Sequence, residues 1–223
     1  MKTFLFASSI IAFLIVSCEP TATFDQPQPA DTKSLSTFPD RVRGDYLSTD
    51  QASILTITDA LISRTSNFDY KVLKDSLPHS YQLIADTLID TTNGTKEKVV
   101  VKGDTVIQHV HETDTLFSLS PDNVVKEFKG YYFLTKRYSD NQWTVQKLSL
   151  KSGVLSVGNI SDKDDINRLK SITKTPSDTI STHFRLTRKQ FKEFVKVHGF
   201  SKEETFTRII KNQVEEITES SRL

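Results

Sequence analysis

The sequence predicts a mainly β chain: an antiparallel β-meander, or a sandwich- or barrel-like domain, closed by two short C-terminal helices. Three observations carry this. Between Phe38 and Ile160 residues alternate at the two-residue period of strands, as in Ile54-Leu55-Thr56-Ile57-Thr58 and Trp143-Thr144-Val145-Gln146-Lys147-Leu148. Turn residues punctuate that stretch at strand-length intervals: Ser48 to Gln51, Asn93-Gly94, Lys102-Gly103-Asp104, Ser139 to Gln142 and Ser152-Gly153. After Ser161 the period lengthens to that of helices.

Lys2 is followed by an apolar run from Phe4 to Val16, the layout of a cleavable export signal. The run is too short to span a bilayer, which takes about 20 apolar residues. It ends in Ile15-Val16-Ser17-Cys18, which holds the only cysteine. This tetrad resembles the lipobox of bacterial lipoproteins. The resemblance implies a diacylglyceryl group on the Cys18 thiol, cleavage between Ser17 and Cys18, and acylation of the freed amine. One acyl chain holds a protein only marginally, at about 0.8 kcal/mol per buried methylene, whereas two or three anchor it stably.

Removing the first 17 of 223 residues takes Lys2 with it and leaves 28 basic against 28 acidic side chains. A neutral balance argues against a nucleic-acid partner and against polybasic membrane docking. No second cysteine exists for a disulfide, so the fold rests on its core.

Residues 18–37 read as a lipidated N-terminus and flexible tether. Pro20, Pro27 and Pro29 stand among Thr, Gln, Asp and Ser, with Phe24 and Leu35 the only large apolar side chains. Residues 38–160 form the β-rich part. Asp followed by Ser or Thr and an aliphatic residue marks strand starts at Asp75, Asp86, Asp104, Asp114 and Asp178. A longer pattern joins Phe38 to Tyr46 with Val124 to Tyr132, each with a basic residue, Gly, a spacer and Tyr. It suggests two related hairpin units near 38–62 and 124–150, with the glycines at bulges or close backbone approaches.

Residues 161–223 read as a helical part packing on the β domain. Ser161 with Asp164 forms one capping box and Thr187 with Gln190 another; Gly199 is the expected stop of the second helix. The stretch from Glu204 to Ile210 suits strand or helix equally.

Candidate chemistry is sparse. His109 and His111 lie two apart on a strand and so share a face, where a third ligand would complete a zinc or copper site, with Asp114 on the same side. Metal-dependent hydrolysis is the only enzymatic alternative this leaves. Asp162 to Asn167 is acidic but lacks the glycine and closing glutamate of a calcium loop. No Gly-x-Ser-x-Gly elbow or glycine-rich phosphate loop occurs, and no cofactor is implied. Phe128, Tyr131, Tyr132, Phe133, Tyr138 and Trp143 cluster within sixteen positions. They suit a sheet core, or a lipocalin-like pocket for an apolar or glycan ligand bound by Tyr131, Tyr132, Tyr138 and Trp143.

Lipobox, Pro/Thr tether and a cysteine-free β domain together resemble the envelope lipoproteins of Bacteroidota. The expectation is a non-catalytic protein of the bacterial cell envelope, held by membrane lipid through acylated Cys18. It would sit in the outer membrane, with a structural or assembly role toward an envelope protein partner.

Overall fold

Residues 22–176 and 182–210 are described by the computed structural model. The export signal, Cys18, the Asp178 turn and residues 213–223 lie outside the described residues. In chain order the elements are β1 (Thr23–Phe24), β2 (Ser34–Leu35), a 3-10 turn (Asp40–Val42), β3 (Gly44–Ser48), β4 (Ser53–Ile57), β5 (Leu61–Leu73), a second 3-10 turn (Lys74–Ser76), β6 (Tyr81–Ile84), β7 (Thr87–Asp90), β8 (Lys96–Lys98), β9 (Val100–Lys102) and β10 (Thr105–Ser118). There follow β11 (Asn123–Phe128), β12 (Tyr131–Ser139), β13 (Gln142–Lys151), β14 (Val154–Asn159), α1 (Lys163–Thr173), β15 (His183–Phe184), α2 (Arg188–Lys196) and β16 (Lys202–Arg208).

The fold is mainly β, with antiparallel sheets and two helices, as the alternation predicts. The main sheet runs β2-β11-β12-β13-β14-β16-β3-β4-β5-β10-β9, and β1 adds to β13 while pairing in parallel with β15. All five turn signals fall between strands. Ser152 and Gly153, with φ of 50° and 80°, make the two-residue hairpin whose twist matches its strands.

The sheet curls, because both ends of its strand order supply the same interior. Val125 of β11 and Phe117 of β10 lie in one core with Tyr46, Leu148, Leu155 and Phe206. Lys136 of β12 closes the seam by donating to the Leu116 carbonyl of β10. Phe38 plugs this interior, its ring edge-on to Phe117 at 6.0 Å.

A second core lies on the outer face of β11 to β13. Phe128, Phe133 and Val145 meet Ile166 and Leu169 of α1, Phe191 and Phe194 of α2, and Ala22 and Phe24. Strands covered on both faces explain the run Tyr132-Phe133-Leu134, all buried, where alternation would leave every second residue wet. Each fully buried Phe contributes about 1.5–3 kcal/mol, so the helices are held by packing more than by propensity.

Several sequence expectations are corrected. Residues 22–37 are no flexible tether: Ala22, Phe24, Gln28 and Ala30 are buried. The reason is backbone chemistry, since the carbonyls of Pro27 and Pro29 accept from Lys126 Nζ at 2.8 and 2.9 Å and that of Gln28 accepts from Thr135 Oγ1 at 3.2 Å. The segment is a strap across β11 and β12, ending where β2 pairs with β11.

The two units near 38–62 and 124–150 differ locally. Gly44 begins β3 after a 3-10 turn, whereas Lys129 and Gly130, with φ of 56° and 81°, form the tight turn between β11 and β12. Neither glycine sits at a bulge. Asp75 lies in the second 3-10 turn and Asp114 inside β10, so among the described residues only Asp86 and Asp104 mark strand starts.

The C-terminal part is only partly helical, because β16 inserts between β14 and β3. Asp162, not Ser161, caps α1 by accepting from Asp164 N. The Thr187–Gln190 box is present as expected. Gly199 does not end α2 through its own dihedral; His198 takes the left-handed position at φ 59°. Glycine is needed at 199 because a Cβ there would lie 2.4 Å from the Phe194 ring.

Candidate functional site

The His pair stands on an arm. Beyond Ser66, the last β5 residue paired with β4, strands β5 and β10 continue from Asn67↔His111 to Leu73↔Thr105, as a bare ribbon down to Tyr70↔Gln108 and flanked by β9 from Ile107 to Thr105. At about 3.3 Å per residue these seven pairs project roughly 23 Å. The arm ends in the small sheet β6-β7-β8, packed over Leu88, Val99 and Val106. A bare two-stranded ribbon is marginal in water, so this tip core steadies it.

His109 and His111 are each matched across the ribbon. His109 Nδ1 lies 2.5 Å from Asp69 Oδ1 and His111 Nδ1 2.5 Å from Asn67 Oδ1. Among the described residues no three His, Cys, Asp or Glu side chains converge. Zinc would find two imidazoles and one carboxylate already bonded to one of them; Asp114, expected on their side, lies an odd number of residues from both with no bulge between and so faces the other way.

The arm carries most of the exposed apolar surface instead. Ten large hydrophobic side chains are exposed among the described residues, and six of them, Phe68, Tyr70, Leu73, Tyr81, Ile84 and Val100, belong to the arm and its tip. Tyr70 and Tyr81 also wall a hollow of about 200 Å³ with Val72, Leu77, Leu88 and Val106. Such a concentration on one projection differs from the single scattered hydrophobics of an ordinary surface.

The aromatic cluster is divided among environments, so its four candidate ligand residues line no common pocket. Tyr132 is buried in the sheet interior beneath the Arg41 guanidinium, 4.9 Å from its ring. Trp143 pairs with Phe24 of the strap and lies under Arg137 at 4.5 Å. Tyr138 is 72% exposed. Adjacent residues on a strand face opposite ways, which forbids the grouping that proximity in sequence suggested. Only Tyr131, with Phe128, opens onto a cleft.

That cleft, about 670 Å³, lies between the β11–β12 turn and α2. Phe128, Tyr131 and Phe200 give it an aromatic floor, and Lys129, Lys147, Arg168, Lys192, Lys196 and His198 surround it. Lys147 is held over both the Tyr131 and Phe200 rings at 5.6 Å and pairs with Glu203 at 2.7 Å. Behind the cleft, fully buried Asp165 accepts from Ser201 N and Oγ at 2.8 and 3.0 Å and pairs with Arg168 at 2.8 Å. This ties α1 to the strand approach of β16 and fixes the cleft's wall.

The lysines were hidden in the sequence as an ordinary solvated face. Their signal is the i,i+4 spacing of Lys192 and Lys196 on α2, opposite the buried Phe191 and Phe194. Two further hollows, about 330 and 290 Å³, share Leu134, Lys136, Gln146 and Asn159 at the sheet interior. No helix among the described residues is long and apolar enough to cross a membrane. Comparison with protein-family models, with curated proteins and with solved structures gives no match, so the arm and the cleft are read from their own chemistry.

Proposed function

We propose that this chain is a lipid-anchored, non-catalytic protein of the bacterial cell envelope whose projecting arm engages another envelope protein. The observation that carries the reading is the arm, a ribbon with six of ten exposed large hydrophobics that serves no packing need of the body. The lipobox-like tetrad ending at Cys18 supports the anchor, and Glu19 rather than Asp after it, by analogy with bacterial lipoproteins, supports the outer membrane as its site.

The strap changes how such an anchor would act. Cys18 lies four residues before Ala22, which is already buried, so the link to lipid reaches at most about 14 Å. The body rests close to the bilayer and the arm supplies the reach.

The test uses a photo-crosslinking amino acid in cells at Tyr70 and, as control, at Tyr138, both exposed. A discrete protein adduct from position 70 that is absent from position 138 supports the reading. Adducts at neither position, or equally at both, overturn it.

A further inference from the structure

The aromatic-floored cleft beside α2 concentrates charge that the rest of the chain does not have. Five side chains around it are cationic at neutral pH, namely Lys129, Lys147, Arg168, Lys192 and Lys196, against the single carboxylate of Glu203. The whole chain carries only +1. Such focusing within a concave wall attracts anions well beyond what net charge would do.

Two of the cations are already committed, Lys147 to Glu203 and Arg168 to Asp165. Lys129, on the β11–β12 turn, and Lys192 and Lys196, on α2, are exposed, and none of the three forms an ion pair among the described residues. Lys192 and Lys196 repel each other mildly at i,i+4, a cost that an anion held between them would relieve. Beside them the rings of Phe128, Tyr131 and Phe200 offer flat apolar surface of the kind that packs against a sugar ring. A volume near 670 Å³ lies within the roughly 300–1,000 Å³ typical of small-molecule sites.

We propose that this cleft is a binding site for a phosphorylated sugar, with phosphate groups held by Lys129 on one rim and Lys192 and Lys196 on the other and the ring laid on Tyr131 and Phe200. The sugar phosphate has two sources, a soluble metabolite or the headgroup of an anionic lipid. Proximity favours the second, since Ala22 packs in the same apolar core as Phe128 and Phe200. That preference rests on the proposed Cys18 anchor; the site itself does not, and neither depends on the arm.

The experiment is calorimetry on the full mature chain in mild detergent, with glucose 1,6-bisphosphate, glucose and inorganic phosphate as separate probes. Flotation with phosphatidylcholine vesicles, with or without phosphatidylinositol phosphate, forms a second arm. Binding of the bisphosphate at least tenfold tighter than inorganic phosphate, and weakened at least tenfold in Lys192→Ala/Lys196→Ala, supports a site for the soluble ligand. Flotation only with the phosphorylated lipid, lost in the same variant, supports the headgroup. Both substituted side chains are solvent-facing, so the variant keeps its fold, checked by an unchanged melting temperature.

Inorganic phosphate binding as tightly as the bisphosphate removes the ring from the proposal and overturns it. Absence of binding in both arms, or binding unaffected by the double substitution, also overturns it. Crosslinking from position 70 would survive any of these failures, which separates them from failure of the arm reading.

Discussion

Replacing Lys126 with Met tests the strap directly. The Lys126 ammonium is buried beneath residues 22–37 and donates to the Pro27 and Pro29 carbonyls. Hydrogen bonds from a charged donor contribute about 1.5–3 kcal/mol each, or about 3–6 together. Desolvating the ammonium offsets several kcal/mol of that. Methionine keeps the apolar stem but leaves both carbonyls without a donor, so the expected net loss is about 2–3 kcal/mol. For a folded part of this size that lowers the melting temperature by roughly 5–10 °C.

The loss should also be local. Amide exchange across residues 22–37 should accelerate more than tenfold while β13 and β14 stay protected, as read by peptide-resolved mass spectrometry alongside urea unfolding. The pH dependence has a definite sign. Burial holds the Lys126 pKa below its ordinary 10.5, although Asp31 pulls the other way. Between its folded value and 10.5 the unfolded chain binds more protons, so this residue's contribution rises with pH. The advantage of wild type over Lys126→Met should therefore widen on the alkaline side. Unchanged exchange across 22–37, or an advantage that shrinks as pH rises, would refute the strap argument.

Further outcomes are expected at four positions or segments. Cys18→Ala should abolish incorporation of labelled palmitate; retained label would remove the anchor from the proposal. Asp165→Ala takes the buried acceptor from the Ser201 N–H and frees Arg168, for an expected loss of about 3 kcal/mol by calorimetric melting, with Asp165→Asn losing less because its amide oxygen still accepts. Gly199→Ala drives a methyl into the Phe194 ring and should lose about 2–3 kcal/mol, recovered in part by Phe194→Leu; a melting shift under about 2 °C would contradict the packing. Leu73 faces Thr105, so replacing 74–104 with Asn-Gly should leave a folded body that has lost Tyr81, Ile84 and Val100 and gives a weaker adduct from position 70; if instead the body unfolds, the tip is structural.

The local grammar of the fold was legible where single residues encode backbone shape. Asn93-Gly94, Gly103-Asp104 and Ser152-Gly153 mark turns because few side chains tolerate their positive φ, and Thr187 with Gln190 caps α2 through its own side chains. What lay hidden was set by distant partners. Residues 22–37 bind through main-chain carbonyls, which hydropathy does not register. Strand β16 buries fully only Phe206, and its Glu203 and Glu204 find Lys147 and Arg64 on other strands, so its charged sequence gave no strand period.

The arm escaped notice for the converse reason: from Asn67 to Tyr70 both faces of the ribbon are wet, so there is no alternation to read. Of the candidate sites, sequence proximity found Phe128 and Tyr131 but mixed them with Tyr132 and Trp143, which the pleat sends elsewhere. The partners of Tyr131 in the cleft come from α2 and the approach to β16, some sixty residues later.

The position of β16 bears on biosynthesis. Strands β14 and β3 are joined through it, yet among the described residues it is the last strand to leave the ribosome. Until residues 202–208 emerge, two raw strand edges stay unpaired and the interior around Tyr46 and Leu155 gapes open. The nascent chain is thus an unlatched cylinder through nearly all of its synthesis, open to chaperones and to proteases. Any product cut short before Lys202 should be cleared or aggregate, making the final strand the checkpoint for the whole molecule.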